Sequence, residues 1–111
     1  MYTRQGISYV TGGLAKADAD AIEYAARYYP LQLEFLLEEK SKREFLSNVK
    51  VWIEDAQDKT VLEVTADGPF LLARLPAGKY TINAARGGEV KSRVVRIVPQ
   101  RHRRAVFKWQ A

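Results

Sequence analysis

The chain has 111 residues, 47% of them hydrophobic and 28% charged, with a formal net charge of +5. That balance supports one globular domain with an apolar core and excludes a disordered chain. The absence of cysteine excludes disulfides, thiolate metal sites and thiol nucleophiles, and no apolar run approaches the ~18 residues of a membrane helix.

In chain order, Ile7 to Val10 is a short β-like piece ended by Gly12-Gly13. No Gly-Lys-Ser/Thr and no third spaced glycine follow, so the pair reads as a turn and not a phosphate cradle. Asp18 is the expected N-cap of a helix ending at Tyr29, because Ile22, Ala25, Ala26 and Tyr29 recur on one helical face. Pro30 stops it. About three turns long, this helix needs a surface to lie on, and Tyr24, Tyr28 and Tyr29 fit packing on a sheet better than an aromatic platform.

From Leu31 the period becomes two. Leu31, Leu33, Phe35 and Leu37 alternate with Gln32 and Glu34, which predicts a half-buried strand. Glu38 to Glu44 reads as a charged loop. Val49, Val51 and Ile53 alternate with Lys50, Trp52 and Glu54, and a polar turn at Asp55 to Lys59 leads to a strand over Thr60 to Thr65. Asp67-Gly68-Pro69 reads as a turn, with Gly68 tolerating positive φ and Pro69 suited to a strand's first position. Phe70 to Arg74 is a short strand. Leu75-Pro76-Ala77-Gly78 is a second turn, with Gly78 able to supply the left-handed residue. Tyr80, Ile82 and Ala84 form the next strand, and Arg86-Gly87-Gly88-Glu89 a hairpin turn. In Val90 to Val98 the alternation slips at Val94-Val95, which predicts a bulge. Pro99 ends that strand, and Ala105, Phe107 and Trp109 mark the last one. One helix followed by short strands at this spacing predicts a mainly β fold, a small antiparallel sandwich with an N-terminal α-helix, built as a single domain over 1–111.

The segment 48–109 resembles the carboxypeptidase regulatory-like domains, which share a transthyretin-like (prealbumin-like) β-sandwich. The likeness rests on Val49-Lys50-Val51-Trp52-Ile53 and on a signature formed by Asp67-Gly68-Pro69-Phe70 and Leu75-Pro76-Ala77-Gly78-Lys79-Tyr80-Thr81-Ile82. It implies a sandwich core over 48–109, a strand–helix–strand extension over 1–37, and a structural role for Asp67, Gly68, Pro69, Pro76, Gly78 and Tyr80. Many relatives have glycine where this chain has Asp58, and Asp can adopt the left-handed conformation at some cost. The whole chain is also similar to small exported proteobacterial proteins of unassigned function. That similarity implies a periplasmic or secreted location, a signal peptide removed from this form, and Met1 as an added residue.

Candidate chemistry is sparse. In the resembled enzymes the catalytic residues belong to a separate peptidase domain. Hydroxyisourate hydrolase, a relative of the same fold, uses several histidines and a Tyr-Arg-Gly-Ser ending; this chain has one histidine and ends Lys-Trp-Gln-Ala. His102 sits in Arg-His-Arg-Arg, where neighbouring cations oppose an imidazolium, so no catalytic residue, metal or cofactor is expected. Charge is the stronger signal. Residues 1–67 hold 8 Lys/Arg and 12 Asp/Glu, whereas 68–111 hold 10 Lys/Arg and only Glu89. Lys91, Arg93, Arg96, Arg101, Arg103, Arg104 and Lys108 would share one face if the last two strands paired as a hairpin about Pro99-Gln100. They would bind phosphate, acidic glycan or lipid headgroups, or else only protect an edge strand from aggregation. Trp52 points away from Val51 and Ile53 and is a candidate aromatic contact, although the helix is expected to cover it. The reading is therefore a non-catalytic periplasmic or cell-envelope binding or structural module. Its partner would be an envelope protein, anionic glycan or lipid surface. The alternative is a polyanion or nucleic-acid binder using the Arg-rich hairpin, although no nucleic-acid-binding signature is present.

Overall fold

The computed structural model of the chain describes residues 2–40 and 42–110. Met1, expected to be an added residue, and Ser41, inside the expected charged loop, lie outside them. The period-two segments form strands in two sheets. The elements are β1 (Tyr2–Arg4), β2 (Ile7–Gly12), α1 (Lys16–Ala25), β3 (Leu31–Glu39), β4 (Lys42–Phe45), β5 (Val49–Glu54), β6 (Thr60–Ala66), β7 (Phe70–Ala73), β8 (Gly78–Arg86), β9 (Glu89–Ile97) and β10 (Arg103–Gln110). The first sheet has the order β1-β2-β7-β3-β10, and the second β6-β5-β8-β9. One edge of β3 is shared: β7 pairs with Leu31 to Glu34, and β4 with Leu36 to Glu39. The described strand pairs are antiparallel except β10, which runs parallel to β3 from Arg103↔Leu31 to Gln110↔Glu38.

The two sheets pack face to face as a small β-sandwich. Leu31, Leu33, Phe35, Leu71, Ala105, Phe107 and Trp109 from the first sheet meet Val49, Val51, Ile53, Leu62, Ile82 and Ala84 from the second. Each of these residues is at most 2% exposed, and their alternation along the strands made this face legible. Phe35, Phe107 and Trp109 form a three-ring cluster, each pair of ring centroids 6.0 to 6.5 Å apart.

The helix lies on the other face of the first sheet. Ile22, Ala26 and Tyr29 pack on Phe70 and Leu72 in a second, smaller core. This corrects the expectation that the helix covers Trp52, which sits half-buried on the outer face of the second sheet. The apolar face of α1 goes to Phe70 and Leu72 because β7 is apolar on both faces. It also turns β3 from a half-buried strand into one buried on both faces over Leu31 to Leu36, with Gln32 and Glu34 taken out of water. The helix starts two residues before Asp18, with Ala15 as N-cap and no side-chain cap. Asp18 instead accepts a hydrogen bond from the Gly13 backbone N–H, tying the first turn back to the Gly12-Gly13 corner.

Other local expectations fare unevenly. Gly87 and Gly88 form the β8–β9 hairpin turn, with φ of +56° and +84°. Asp58 adopts φ +62°, and Asp55 Oδ1 accepts from the N–H groups of Gln57 and Lys59 to hold that turn. The bulge expected at Val94-Val95 is absent: β8 and β9 stay in register from Gly78↔Ile97 to Arg86↔Glu89. The second half of Glu38 to Glu44 belongs to a strand, β4, paired with β3.

The signature turns hold the frame together. Gly68 does not take positive φ; a Cβ there would lie 2.5 Å from the carbonyl carbon and oxygen of Gly12, so the glycine permits close backbone approach. Asp67 N–H donates to Thr11 Oγ1 at 3.0 Å, and Thr11 Oγ1–H donates to the Phe70 carbonyl at 2.9 Å. Pro69 precedes β7, and its carbonyl accepts from Phe35 N–H at 2.8 Å. Gly78 has φ +154°, outside the αL well but still in a region that disfavours a side chain. Tyr80 O–H donates to the Pro76 carbonyl at 2.8 Å, bracing the second turn.

Candidate anion-binding groove

The last two strands do not form a hairpin. After β9 the chain passes through Pro99 and Gln100, the latter at φ +64°, and crosses from the second sheet to the first, where β10 pairs with β3. The inward residues Ala105, Phe107 and Trp109 are all at most 2% exposed in the shared core. That burial would be lost if β10 stayed in the sheet of β9. The seven basic candidates are therefore divided.

Four of them, Lys91, Arg93, Arg104 and Lys108, line one groove of about 690 Å³ along β10. Arg43, on β4, is a fifth cation in the lining, and Glu34 is its carboxylate. Arg43 was missed because its segment reads as a charged loop, and nothing local marks it as the hairpin partner of β3. Arg101 lines a different cavity, near His102. Arg96 and Arg103 are exposed and line neither.

Arg93 and Lys91 reach the groove because of strand phase. In register with Ile82 and Ala84, they lie on the core-side face of β9, in the same alternation as Val95 and Ile97. The inner face of β9 thus changes from apolar to cationic along its length. Arg93 lies over the Phe107 ring at 5.9 Å and donates from Nη2 to the Val106 carbonyl at 3.0 Å. Its aliphatic stem can cover apolar surface while its head stays polar, and it occupies one carbonyl of the outer edge of β10. Trp109 Nε1–H similarly reaches the Glu89 carbonyl at 3.4 Å, bridging the unpaired edges of the two sheets.

On the outer face of the first sheet, Arg104 donates to the buried Glu34 carboxylate. That bond, with the attraction of the same carboxylate, raises the guanidinium pKa further. Lys108 and Arg43 both approach Glu38, at 3.7 and 3.5 Å. Lys91 pairs with Glu89 at 3.2 Å. Apart from Arg104–Glu34, whose carboxylate is buried, these pairs are exposed or half-exposed, weak and exchangeable in water, so a ligand anion can replace Glu38 or Glu89 at little cost. Electrostatically the groove is a shallow trough in which five cations outnumber the acids.

Trp52 faces Glu63 and Asn83 across the strands. Asn83 donates to the Trp52 carbonyl and to Glu54 Oε1 and accepts from Ser92 Oγ–H. Trp52 does not line the basic groove. His102 Nδ1 donates to the Tyr29 carbonyl, and Nε2 meets Gln32 Oε1, both at 2.8 Å. Both ring nitrogens of His102 thus lie within hydrogen-bonding distance of protein oxygens. Among the described residues, no group of three or more His, Cys, Asp or Glu side chains could hold a metal ion. No described helix is long and apolar enough to cross a membrane. No protein-family model matches the chain, and no curated protein matches its sequence.

Proposed function

We propose that this chain is a non-catalytic binding module of the cell envelope, of the carboxypeptidase regulatory-like kind, that holds an acidic polysaccharide along the groove at β10. The observation that carries the reading is the convergence of Arg43, Lys91, Arg93, Arg104 and Lys108, from three strands, on one open trough. Guanidinium and ammonium groups at intervals along a trough suit a polymer with repeated carboxylate or sulfate groups. A single-stranded nucleic acid fits less well, because it needs exposed rings for base stacking. The aromatic in this lining is Phe107, which is 2% exposed and lies beneath Arg93. The envelope location rests on the resemblance of the whole chain to small exported proteins.

The test is affinity for heparin, as a model acidic polysaccharide, across a salt series. Binding should weaken steeply as salt rises, through counterion release. The variant K91E/R93E/K108E should lose about tenfold or more at low salt, as one desolvated charge contact alone can supply that factor. Equal binding by the variant, or tighter binding of a single-stranded oligonucleotide than of heparin, would overturn the assignment. Fractionation of the native host, with the mass of the protein's N-terminus, tests the location: an unprocessed cytosolic form would refute it.

A further inference from the structure

A second cavity, of about 480 Å³, lies at the crossover from β9 to β10. Its size falls within the ~300–1,000 Å³ of ordinary small-molecule sites. Its apolar lining includes Tyr29, Leu75, Ile97 and Pro99, the first three buried at the end of the sandwich. Its polar lining is cationic: Arg27, Arg74 and Arg101 all contribute, and no aspartate or glutamate does. Among the described residues, none of the three arginines forms an ion pair. This differs from the β10 groove, where Glu34 contributes to the lining.

Two of these guanidiniums are braced. Arg74 lies over the Tyr29 ring at 4.8 Å. Arg27 lies over Tyr24 at 4.3 Å and donates from Nε to the Tyr24 carbonyl at 3.2 Å. Stacking restrains a guanidinium while leaving its edge free to donate in the plane, the geometry that bidentate carboxylate recognition uses. The wall beside them is also set, since His102 is held at both ring nitrogens.

We propose that this cavity is a binding site for a small amphipathic carboxylate. Its apolar body rests on Tyr29, Leu75, Ile97 and Pro99, and its carboxylate is held by Arg74 and Arg101. The site is separate from the polysaccharide groove: the two linings share no residue.

The experiment is a titration of isotope-labelled protein with octanoate, followed by the backbone amide resonances of Leu75, Ala77, Val98 and Arg101. Saturable shifts at millimolar octanoate are expected. Octanol, with the same apolar body and no charge, should bind about tenfold more weakly, the loss of one charge-assisted contact. R74Q/R101Q should weaken octanoate binding by a similar factor while leaving the octanol response in place. That comparison reads the charge term within a folded variant. Three results would overturn the proposal: unmoved amides, equal responses to octanoate and octanol, or unaltered octanoate affinity in R74Q/R101Q. Equal perturbation by inorganic phosphate alone would also overturn it, because the apolar floor would then contribute nothing.

Discussion

Gly68→Ala is a single-methyl change whose cost can be worked from the fold. The added Cβ would stand 2.5 Å from the carbonyl carbon and oxygen of Gly12 and 2.9 Å from its Cα. Ordinary contacts at such a position are 3.4–4 Å, so β2 and the β6–β7 turn must separate by about 1 Å to restore van der Waals distance. The obstacle is backbone and cannot rotate aside. Thr11, next to Gly12, accepts from Asp67 N–H and donates to the Phe70 carbonyl, and the same displacement strains both bonds. Overpacking of this kind costs about 1–3 kcal/mol, and one weakened hydrogen bond about 1 kcal/mol more, for a total of about 2–4 kcal/mol. In urea unfolding followed by tryptophan fluorescence, the midpoint should fall by about 1–3 M with unchanged slope. The melting temperature should fall by roughly 10 °C. Gly78→Val is the comparison. A Cβ at Gly78 comes no closer than 3.7 Å to its neighbours, so the strained φ of +154° and not a backbone clash at Cβ sets the loss, which should be above ~1 kcal/mol. If Gly68→Ala costs less than about 1 kcal/mol, the close backbone approach is not what holds β2 against the β6–β7 turn.

Two further predictions concern the turns. The Tyr80 phenol is raised above its ordinary value of 10.0, chiefly by burial and then by the Asp55 charge. Because the folded value lies above the unfolded one, this contribution is fully present below about pH 10 and is lost as pH rises through the folded value. Urea midpoints should therefore fall above pH ~10 more steeply in the wild type than in Y80F, which should cost about 0.5–1.5 kcal/mol at neutral pH through the lost bond to Pro76. Parallel pH curves would remove Tyr80 as the source. D58G should raise stability by about 0.5 kcal/mol, since glycine relieves the φ of +62° at Asp58 at some cost in chain entropy. A lower melting temperature would show that the Asp58 side chain contributes more than its backbone strain takes away.

The groove shows the limit of reading the chain by itself. Lys91 and Arg93 are visible as basic residues in a strand, but their face depends on the hydrogen-bonded register to β8, which puts Arg93 opposite Ile82. Local apolar pattern pointed to a bulge at Val94-Val95, because Val90 and Val94 look like core residues; both are on the solvent side, 52% and 59% exposed. Valine tolerates that exposure because strand propensity and burial are separate preferences. Arg43 and Glu34 join the same groove from sequence neighbourhoods that give no sign of it.

What the residues determined by themselves is whatever short range controls. Period-two alternation placed the inward faces of β3, β5, β8 and β10, since alternate side chains must point to opposite sides of a strand. Gly87-Gly88 closed the β8–β9 turn and Pro30 left Tyr29 extended, because backbone sterics act within a few residues. The α-helix itself ends earlier than expected, at Ala25, and a 3-10 turn at Ala26–Tyr28 follows. What only the tertiary structure decided is which faces meet. The helix chose the doubly apolar β7 over Trp52, β10 crossed to pair in parallel with β3, and Gly68 proved necessary for approach to Gly12. These outcomes turn on burial and backbone contact between segments 36 to 73 residues apart, from the Glu34–Phe70 end of the β3–β7 pairing to the His102–Tyr29 bond. Hydrophobic contact is non-directional and reports area, not partner, so a chain can advertise an apolar face without stating what will cover it.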